Sequence, residues 1–241
     1  MTEYIGSSLS ADVLLSRSVD AIVLISGGLD SAVLLAHETR NGPVQPVYVK
    51  VGLAWEAAEL RMLERLLATS LFASALPLMT LEFGMRDVYP ATHWAIRGTA
   101  PAYDTPDEDV YLAGRNLVLL AKAGVVAVSR KSHRIALGLL AANPFPDATP
   151  EFFDAMTRAM SLGLNHAVEI ATPFASLHKE DVIRLGQSLG VPFELTLSCM
   201  NPVDNGVSRH CGLCSKCRER RDAFDAAGVA DPSVYAQPSP R

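Results

Sequence analysis

Several features that would assign a chain to a common protein class are missing from this sequence of 241 residues. No apolar run is long enough to span a membrane, and the longest, over about residues 117–128, is interrupted by Lys122. The first residues lack the basic start of a signal peptide. The net charge of −5 gives no excess of the basic residues that general nucleic-acid binders need. We therefore expect a cytoplasmic protein with no membrane partner, and nucleic acid is disfavoured as a partner.

Cysteine is scarce, and its four copies are confined to one segment: Cys199, Cys211, Cys214 and Cys217. A disulfide framework has no other cysteines to join. The spacing Cys-x11-Cys-x2-Cys-x2-Cys supplies four thiolates, which match a tetrahedral zinc site. Iron–sulfur ligation is the alternative, because clustered Cys-x2-Cys runs also hold such clusters. The sequence thus predicts one closed metal site near the C-terminus.

The most informative stretch is a polar loop that follows an apolar run. Residues 21–25 are aliphatic without interruption, as in a buried strand of a parallel sheet, and residues 32–38 fit the helix that follows. The loop between them therefore lies at a helix N-terminus, where unpaired backbone N–H groups and the helix dipole attract an anion. Its six residues are Ser26, Gly27, Gly28, Leu29, Asp30 and Ser31.

This loop differs from the commoner nucleotide loops, because it has neither the Lys of a Walker A loop nor the third glycine of the dinucleotide fingerprint. Asp30 is informative because a carboxylate beside a triphosphate is repelled unless a divalent cation lies between them. The loop thus predicts a site for magnesium pyrophosphate, with Ser26 and Ser31 as hydroxyl donors. An ordinary strand-to-helix turn, with Asp30 as the helix cap, is the alternative.

Strand and helix patterns alternate along the rest of the chain. Strands are predicted over residues 44–49, 76–81, 135–140 and 167–171, and a helix after the second strand places four leucines on one stripe: Leu60, Leu63, Leu67 and Leu71. These units predict an α/β fold with a doubly wound parallel sheet, which binds ligands at the carboxyl ends of its strands. We divide the chain into a nucleotide-binding domain, residues 1–190, and a small zinc-binding segment, residues 191–241.

The six-residue loop resembles the SGGxDS pyrophosphate loop of the PP-loop ATP pyrophosphatases, which have an adenine nucleotide alpha hydrolase-like fold. Within that superfamily the chain is most similar to the 7-cyano-7-deazaguanine synthase family, also called QueC or ExsB. The similarity extends over about residues 21–235. Besides the loop and the cysteines, it rests on Gly-Arg-Asn at residues 114–116 and on Pro-Asp-x-x-Pro-Glu-Phe at residues 146–152. Residues 51–56, Val-Gly-Leu-Ala-Trp-Glu, depart from the Gln-Arg-His cluster of the family.

The resemblance implies an ATP-dependent C–N ligase that forms AMP and pyrophosphate. Its substrates would be ammonia and a small-molecule carboxylate, 7-carboxy-7-deazaguanine. The product would be 7-cyano-7-deazaguanine, made through an adenylated carboxylate and an amide in queuosine biosynthesis. A homodimer that uses ATP, Mg²⁺ and a structural Zn²⁺ is also implied.

Two basic residues are predicted to contact the phosphates of ATP. Arg115 and Lys179 each begin a predicted helix, where a cation opposes the helix dipole unless an anion is bound nearby. Lys179 also lies in a segment, residues 172–183, that resembles the T-P-L-x-x-L-x-K element of the superfamily. Together with Asp30, these two residues are the predicted catalytic set. Ordinary surface positions are the alternative for both basic residues.

Asp147 and Glu151 are the predicted substrate-binding residues, since both match the segment with which the family meets its deazapurine. A carboxylate accepts two hydrogen bonds from an N–H and amino edge such as a guanine-like ring presents. The alternative for Asp147 is a turn or helix-capping aspartate. The Cys and Arg of the family segment are absent at residues 148 and 149.

Two other functions remain open from the sequence. The first is an amide ligase that adenylates a deazapurine or another carboxylate and joins it to a different amine, for example on a protein. The altered segments at residues 51–56 and 143–149 motivate it. The second is a non-enzymatic zinc module that binds tRNA or senses a nucleotide, which the acidic composition disfavours.

Overall fold

A computed structural model describes residues 18–141, 143–204 and 208–240 of the chain. Its main sheet has five strands, which are β1 (Ala21–Leu24), β2 (Val44–Lys50), β3 (Met79–Glu82), β4 (Arg134–Ala136) and β5 (Glu169–Ala171). Their order across the sheet is β3-β2-β1-β4-β5, and every neighbouring pair is parallel. A separate antiparallel pair consists of β6 (Val203–Asp204) and β7 (Ser208–Arg209).

Helices connect the strands and cover the sheet. The α-helices are α1 (Leu29–Glu38), α2 (Glu56–Leu67), α3 (Trp94–Arg97), α4 (Arg115–Arg130), α5 (Pro150–Leu164), α6 (Lys179–Ser188) and α7 (Ser215–Ala227). Short 3₁₀ turns span Ser70–Phe72, Asp107–Val110, Pro146–Ala148 and Phe193–Leu195. Of the described helices, none is long and apolar enough to cross a membrane.

The central strand β1 is buried along its whole length, and its side chains alternate between the two faces of the sheet. On one face Ile22 shares a core with Leu120 of α4. On the other face Val23 shares a core with Leu34 of α1 and Ile183 of α6. Because helices cover both faces, the predicted doubly wound parallel sheet is confirmed.

The order of the strands reverses at β1, since β2 and β3 lie on one side of it and β4 and β5 on the other. In open α/β sheets a ligand crevice forms at this switch point, beyond the carboxyl ends of the strands. Gly138 follows β4 and lies against the loop after β1. A Cβ at Gly138 would come within 3.4 Å of the Asp30 carbonyl group. The segment after β4 therefore packs against the loop after β1 at the crevice.

Some element boundaries differ from those predicted from the sequence. β4 ends at Ala136 rather than residue 140, and the Leu139 N–H then donates to the Leu137 carbonyl as the chain turns out of the sheet. The predicted leucine stripe is wrong at Leu71, because α2 ends at Leu67 and Leu71 lies in the following 3₁₀ turn. β3 and β5 are also shorter than predicted.

The C-terminal segment packs directly on the sheet domain. Phe193 and Phe224 meet edge to face, with ring centroids 5.3 Å apart, in the same core as Val33 of α1. Arg220 is 1% exposed and donates to the Asp231 carboxylate and the Phe193 carbonyl. The division at residue 190 stays a prediction. Residues 1–17 and 142 of its first part, and 205–207 and 241 of its second, lie outside the described residues.

Candidate active site

The polar loop at residues 26–31 joins β1 to α1 and is braced by its own serines. Ser31 Oγ donates to the Gly28 carbonyl at 3.0 Å, and Ser26 Oγ accepts from the Gly28 N–H at 3.3 Å. Gly27 has a φ of +77°, and a Cβ there would lie 3.1 Å from the Glu59 carbonyl oxygen of α2. The loop thus requires glycine for both its conformation and its close packing on α2.

Asp30 lies in the first turn of α1 but does not cap it. The N-cap is Gly28, and no side chain accepts a capping hydrogen bond there. Asp30 Oδ2 is instead 3.3 Å from Lys179 Nζ. Its Oδ1 is buried and has no hydrogen-bond partner within the described ranges. Burial raises the Asp30 pKa, and Lys179 opposes that shift. The free carboxylate oxygen is the kind of hard ligand that Mg²⁺ takes.

Lys179 begins α6 and connects the loop to the C-terminal segment. Its ammonium group forms ion pairs with Asp30 and with Glu219 of α7. Glu219 also pairs with Lys216, which lies 3.6 Å from Asp107 Oδ1. Burial alone would raise the Glu219 pKa, but the two lysines outweigh it and lower the pKa to about 2. Lys216 and Glu219 were not among the residues predicted from the sequence.

Arg115 is the first residue of α4, as predicted, and lies on the opposite wall of the crevice. Gly114 caps the helix with a φ of +74° and no side-chain hydrogen bond. The buried Arg115 Nε has no hydrogen-bond partner within the part of the chain that the structure describes. An unpaired guanidinium donor of this kind fits a phosphate oxygen.

These groups border a cleft of about 510 Å³ and a neighbouring cavity of about 230 Å³. Ser26, Gly28, Asp30 and Arg115 line both. The cleft extends to residues from α2, α3, α6 and α7, among them Trp55, Glu59, Trp94, Lys179, Lys216 and Glu219. The structure therefore brings together every predicted phosphate-contacting side chain that is charged, at the switch point of the sheet.

The four cysteines form a second cluster at the start of α7. All are buried, and their sulfur atoms lie within 4.8 Å of one another. The separation is 3.9 Å for Cys199 and Cys214 and 3.8 Å for Cys211 and Cys217. A tetrahedron with Zn–S bonds of about 2.3 Å requires sulfurs about 3.8 Å apart. The cluster therefore fits one zinc ion with four thiolate ligands.

Backbone geometry supports this metal site. The N–H groups of Cys211 and Asn201 donate to Cys199 Sγ at 3.2 and 3.3 Å. Such donors favour the thiolate form, in which cysteine binds metal. The Nε2 atom of His210 instead accepts from the Ser198 N–H at 3.1 Å, so His210 lies outside the ligand set.

Comparison with known proteins assigns the chain to a family. The family described as "Queuosine biosynthesis protein QueC" matches residues 20–228. The chain belongs to this family. Relatives named 7-cyano-7-deazaguanine synthase include one from Methanopyrus kandleri, which is 32% identical over 82% of this chain and 83% of the relative.

Two further relatives of that name match a shorter part. Those of Methanoculleus marisnigri and Allorhizobium ampelinum are 40% and 39% identical over 52% of this chain. These alignments cover 56% and 53% of the relatives, so this chain matches little more than half of their length. Membership of the QueC family confirms the resemblance inferred from the motifs.

The residues of the QueC-like Pro-Asp-x-x-Pro-Glu-Phe segment do not line the cleft. Asp147 is 7% exposed, and its Oδ2 accepts from the Asn116 N–H at 3.0 Å. Asn116 Nδ2 in turn donates to the Asp147 carbonyl at 2.8 Å. Glu151 is exposed in the first turn of α5. A substrate role for Asp147 and Glu151 stays a prediction, whereas the observed contact of Asp147 is with the start of α4.

This contact predicts that Asp147 matters for the position of Arg115. Asp147→Ala removes an acceptor from a helix N-terminus and should lower the free energy of unfolding by about 0.5–2 kcal/mol. KM for ATP should rise as the start of α4 loosens. Asp147→Asn retains an acceptor oxygen and serves as the control. If both variants instead raised only the KM for the carboxylate, Asp147 would bind the substrate, as the sequence predicts.

Sequence reasoning also missed Glu59, a buried carboxylate on α2. It is 7% exposed, and its Oε2 accepts from the Tyr48 hydroxyl at 2.6 Å. Burial raises the Glu59 pKa to about 7, although Arg115 and the Tyr48 hydrogen bond lower it. No sequence motif marks Glu59, because only the packing of α2 beneath the loop brings it to the cleft.

The raised pKa predicts a pH-dependent stability. The folded state binds the Glu59 proton more tightly than the unfolded state, so the stability from this proton is complete below pH 4.5 and is lost as pH rises through about 7. The shift from 4.5 to about 7 corresponds to about 3 kcal/mol. Glu59→Gln should therefore gain stability relative to the parent between about pH 5 and 8. Urea unfolding at about pH 5 and pH 8 measures the free energy of unfolding of the parent and the variant. An equal difference between the two proteins at both pH values would contradict the prediction.

Proposed function

We propose that this chain is an ATP-dependent C–N ligase that makes 7-cyano-7-deazaguanine from 7-carboxy-7-deazaguanine and ammonia, with release of AMP and pyrophosphate. The observation that carries the proposal is the contact between Asp30 of the SGGxDS loop and Lys179, opposite Arg115, in a QueC-family chain. The names of the relatives support the nitrile product.

The residues of the cleft suit the transfer of AMP to a carboxylate oxygen. Backbone N–H groups at the start of α1 and the Ser26 and Ser31 hydroxyls would bind the departing pyrophosphate. Lys179 and Arg115 would neutralise the charge that develops on it. Asp30 Oδ1 would hold Mg²⁺, which when bound supplies further positive charge against the phosphates. The zinc would be structural, since four thiolates leave no open position.

The same site would act twice. In the first round the substrate carboxylate attacks the α-phosphorus and pyrophosphate leaves. Ammonia then forms a C–N bond to the acyl carbon, AMP leaves, and a proton is lost to give the amide. In the second round the amide oxygen is adenylated, and loss of AMP and a proton leaves the nitrile. Both rounds require an oxygen that leaves poorly to become an AMP ester.

An alternative product is an amide with a different amine. Trp55 and Trp94 motivate it. Their rings stack in the cleft, with centroids 5.7 Å apart and an interplanar angle of 9°. Trp55 belongs to residues 51–56, which depart from the Gln-Arg-His cluster of the family. These rings would shape the space around the acyl carbon and so change which amine reaches it.

Mass spectrometry separates these functions. The protein should be incubated with ATP, Mg²⁺ and 7-carboxy-7-deazaguanine, with ammonia or a panel of primary amines. A nitrile formed with ammonia is the expected result. An amide that accumulates without a nitrile would favour the alternative, and absence of carboxylate-dependent AMP release would reject both ligase functions and favour a nucleotide sensor.

We also propose a cytoplasmic homodimer. The outer side of α4 exposes an apolar stripe, which is formed by Leu117, Ala121, Val125 and Val128. Such a stripe on a helix surface can pack against its own copy across a two-fold axis. Sedimentation at micromolar concentration tests the dimer, and a monomer at all concentrations would contradict it.

A further inference from the structure

Glu59 is a charged group without a charged partner at contact distance. Its side chain lies under the polar loop, with Oε2 bonded to the neutral Tyr48 hydroxyl at 2.6 Å. Within residues 18–141, 143–204 and 208–240, no basic side chain approaches it within 4.0 Å. A buried carboxylate in this state is costly, and a bound cation would relieve the cost.

The groups around Glu59 do not fully neutralise its negative charge. The Tyr48 hydroxyl of β2 and the Trp55 side chain each donate a hydrogen bond to Glu59, and both donors are neutral. Glu56, one turn earlier on α2, adds a second negative charge. Arg115 of α4 acts from a greater distance. The raised pKa, about 7, agrees with a carboxylate that is incompletely neutralised yet still ionises near neutral pH.

Glu59 also lies in the cleft that the proposed reaction would use. It lines the cleft together with Ser26, Gly28 and Arg115. The loop also packs closely on the backbone of Glu59, since a Cβ at Gly27 would lie only 3.1 Å from the Glu59 carbonyl oxygen. The stacked Trp55 and Trp94 form an apolar wall of the same cleft. A cation held by Glu59 would therefore lie in the same cleft as the loop and Arg115, the groups proposed to bind the phosphates of ATP.

We propose that Glu59 binds the ammonium ion and accepts its proton, so that neutral ammonia forms next to the adenylated carboxylate. This inference rests on the proposed function. Ammonia is mainly protonated at neutral pH and then has no lone pair for attack. Transfer of one proton to Glu59 leaves NH₃, whose lone pair forms the C–N bond as the C–O bond to AMP breaks. The nitrogen then loses a second proton to water, which gives the neutral amide. Glu59 later returns the proton to water.

Mg²⁺ is a poorer occupant of this position than ammonium. It demands a near-octahedral set of oxygen ligands. Glu59 Oε2 is already bonded to Tyr48, and the neighbouring cleft wall consists of indole rings. Ammonium needs fewer acceptors and is attracted to aromatic faces as well.

The test compares Glu59→Gln with the parent and with Glu64→Gln, an exposed glutamate on the same helix. Loss of a hydrogen bond to a charged group should lower kcat/KM for ammonium about 10- to 150-fold in Glu59→Gln. Carboxylate-dependent pyrophosphate release without ammonia should persist. In the parent, kcat/KM for ammonium should rise with pH through about 7, and the variant should lose this rise.

A binding measurement keeps the inference testable without turnover. Ammonium chloride should raise the Tm of the parent and of Glu64→Gln relative to sodium chloride at equal ionic strength, and should not do so for Glu59→Gln. Equal protection of all three proteins, or an unchanged KM for ammonium in Glu59→Gln, would overturn the inference. If the parent lacked carboxylate-dependent pyrophosphate release but showed Glu59-dependent protection by ammonium, the proposed function would fail while the cation site stood.

Discussion

Asp30→Ala should abolish most AMP and pyrophosphate release, with a fall in kcat of at least about 100- to 1000-fold, the usual effect of removing one preorganised charge-stabilising group. The variant loses the carboxylate oxygen that is free to hold Mg²⁺. It also frees Lys179 to pair with Glu219 alone, away from the loop. ATP-dependent pyrophosphate release with a coupled assay measures the effect.

The fold should survive this substitution, because Asp30 is 26% exposed at the cleft and its pKa is raised by burial there. Asp154→Ala, at an exposed position of α5, is the matched control and should retain parental activity. Undiminished AMP release in Asp30→Ala, with a normal Tm, would remove Asp30 from the mechanism.

The positions that the sequence predicted well are those that follow from local sequence, whereas the roles of these residues stay predictions. Asp30 follows a recognisable strand, and Arg115 and Lys179 each begin a helix, where a cation is unfavourable without an anion. These rules depend on a few neighbouring residues. For that reason the sequence alone predicts the loop and both helix starts.

The residues that the sequence missed depend on contacts between distant segments. Glu219 meets Lys179 from 40 positions away, and Tyr48 meets Glu59 from the adjacent strand. Neither pair has a periodicity or spacing that marks it. For Asp147 the motif predicts a ligand contact, which stays a prediction. The hydrogen bond that its carboxylate accepts from the Asn116 N–H, 31 positions away, is not indicated by the sequence.

The zinc segment also acquires a role that its spacing did not indicate. Cys214 is the N-cap of α7, and Cys217 lies in its first turn. The same helix carries Lys216 and Glu219 to the Lys179 ion pair. The metal would thus fix the start of a helix that completes one wall of the cleft.

Elemental analysis should therefore find about one zinc per chain, and Cys214→Ser should lose the metal together with several kcal/mol of stability, because binding of zinc is coupled to folding. Any folded fraction should bind ATP more weakly, since α7 no longer holds Lys216 and Glu219 in place.

Leu213→Ser, at a half-exposed position between two ligands, is the control and should keep its zinc. Iron with a visible absorption band would overturn the zinc assignment. A metal-free Cys214→Ser protein with unchanged Tm and ATP affinity would show that the metal does not support α7.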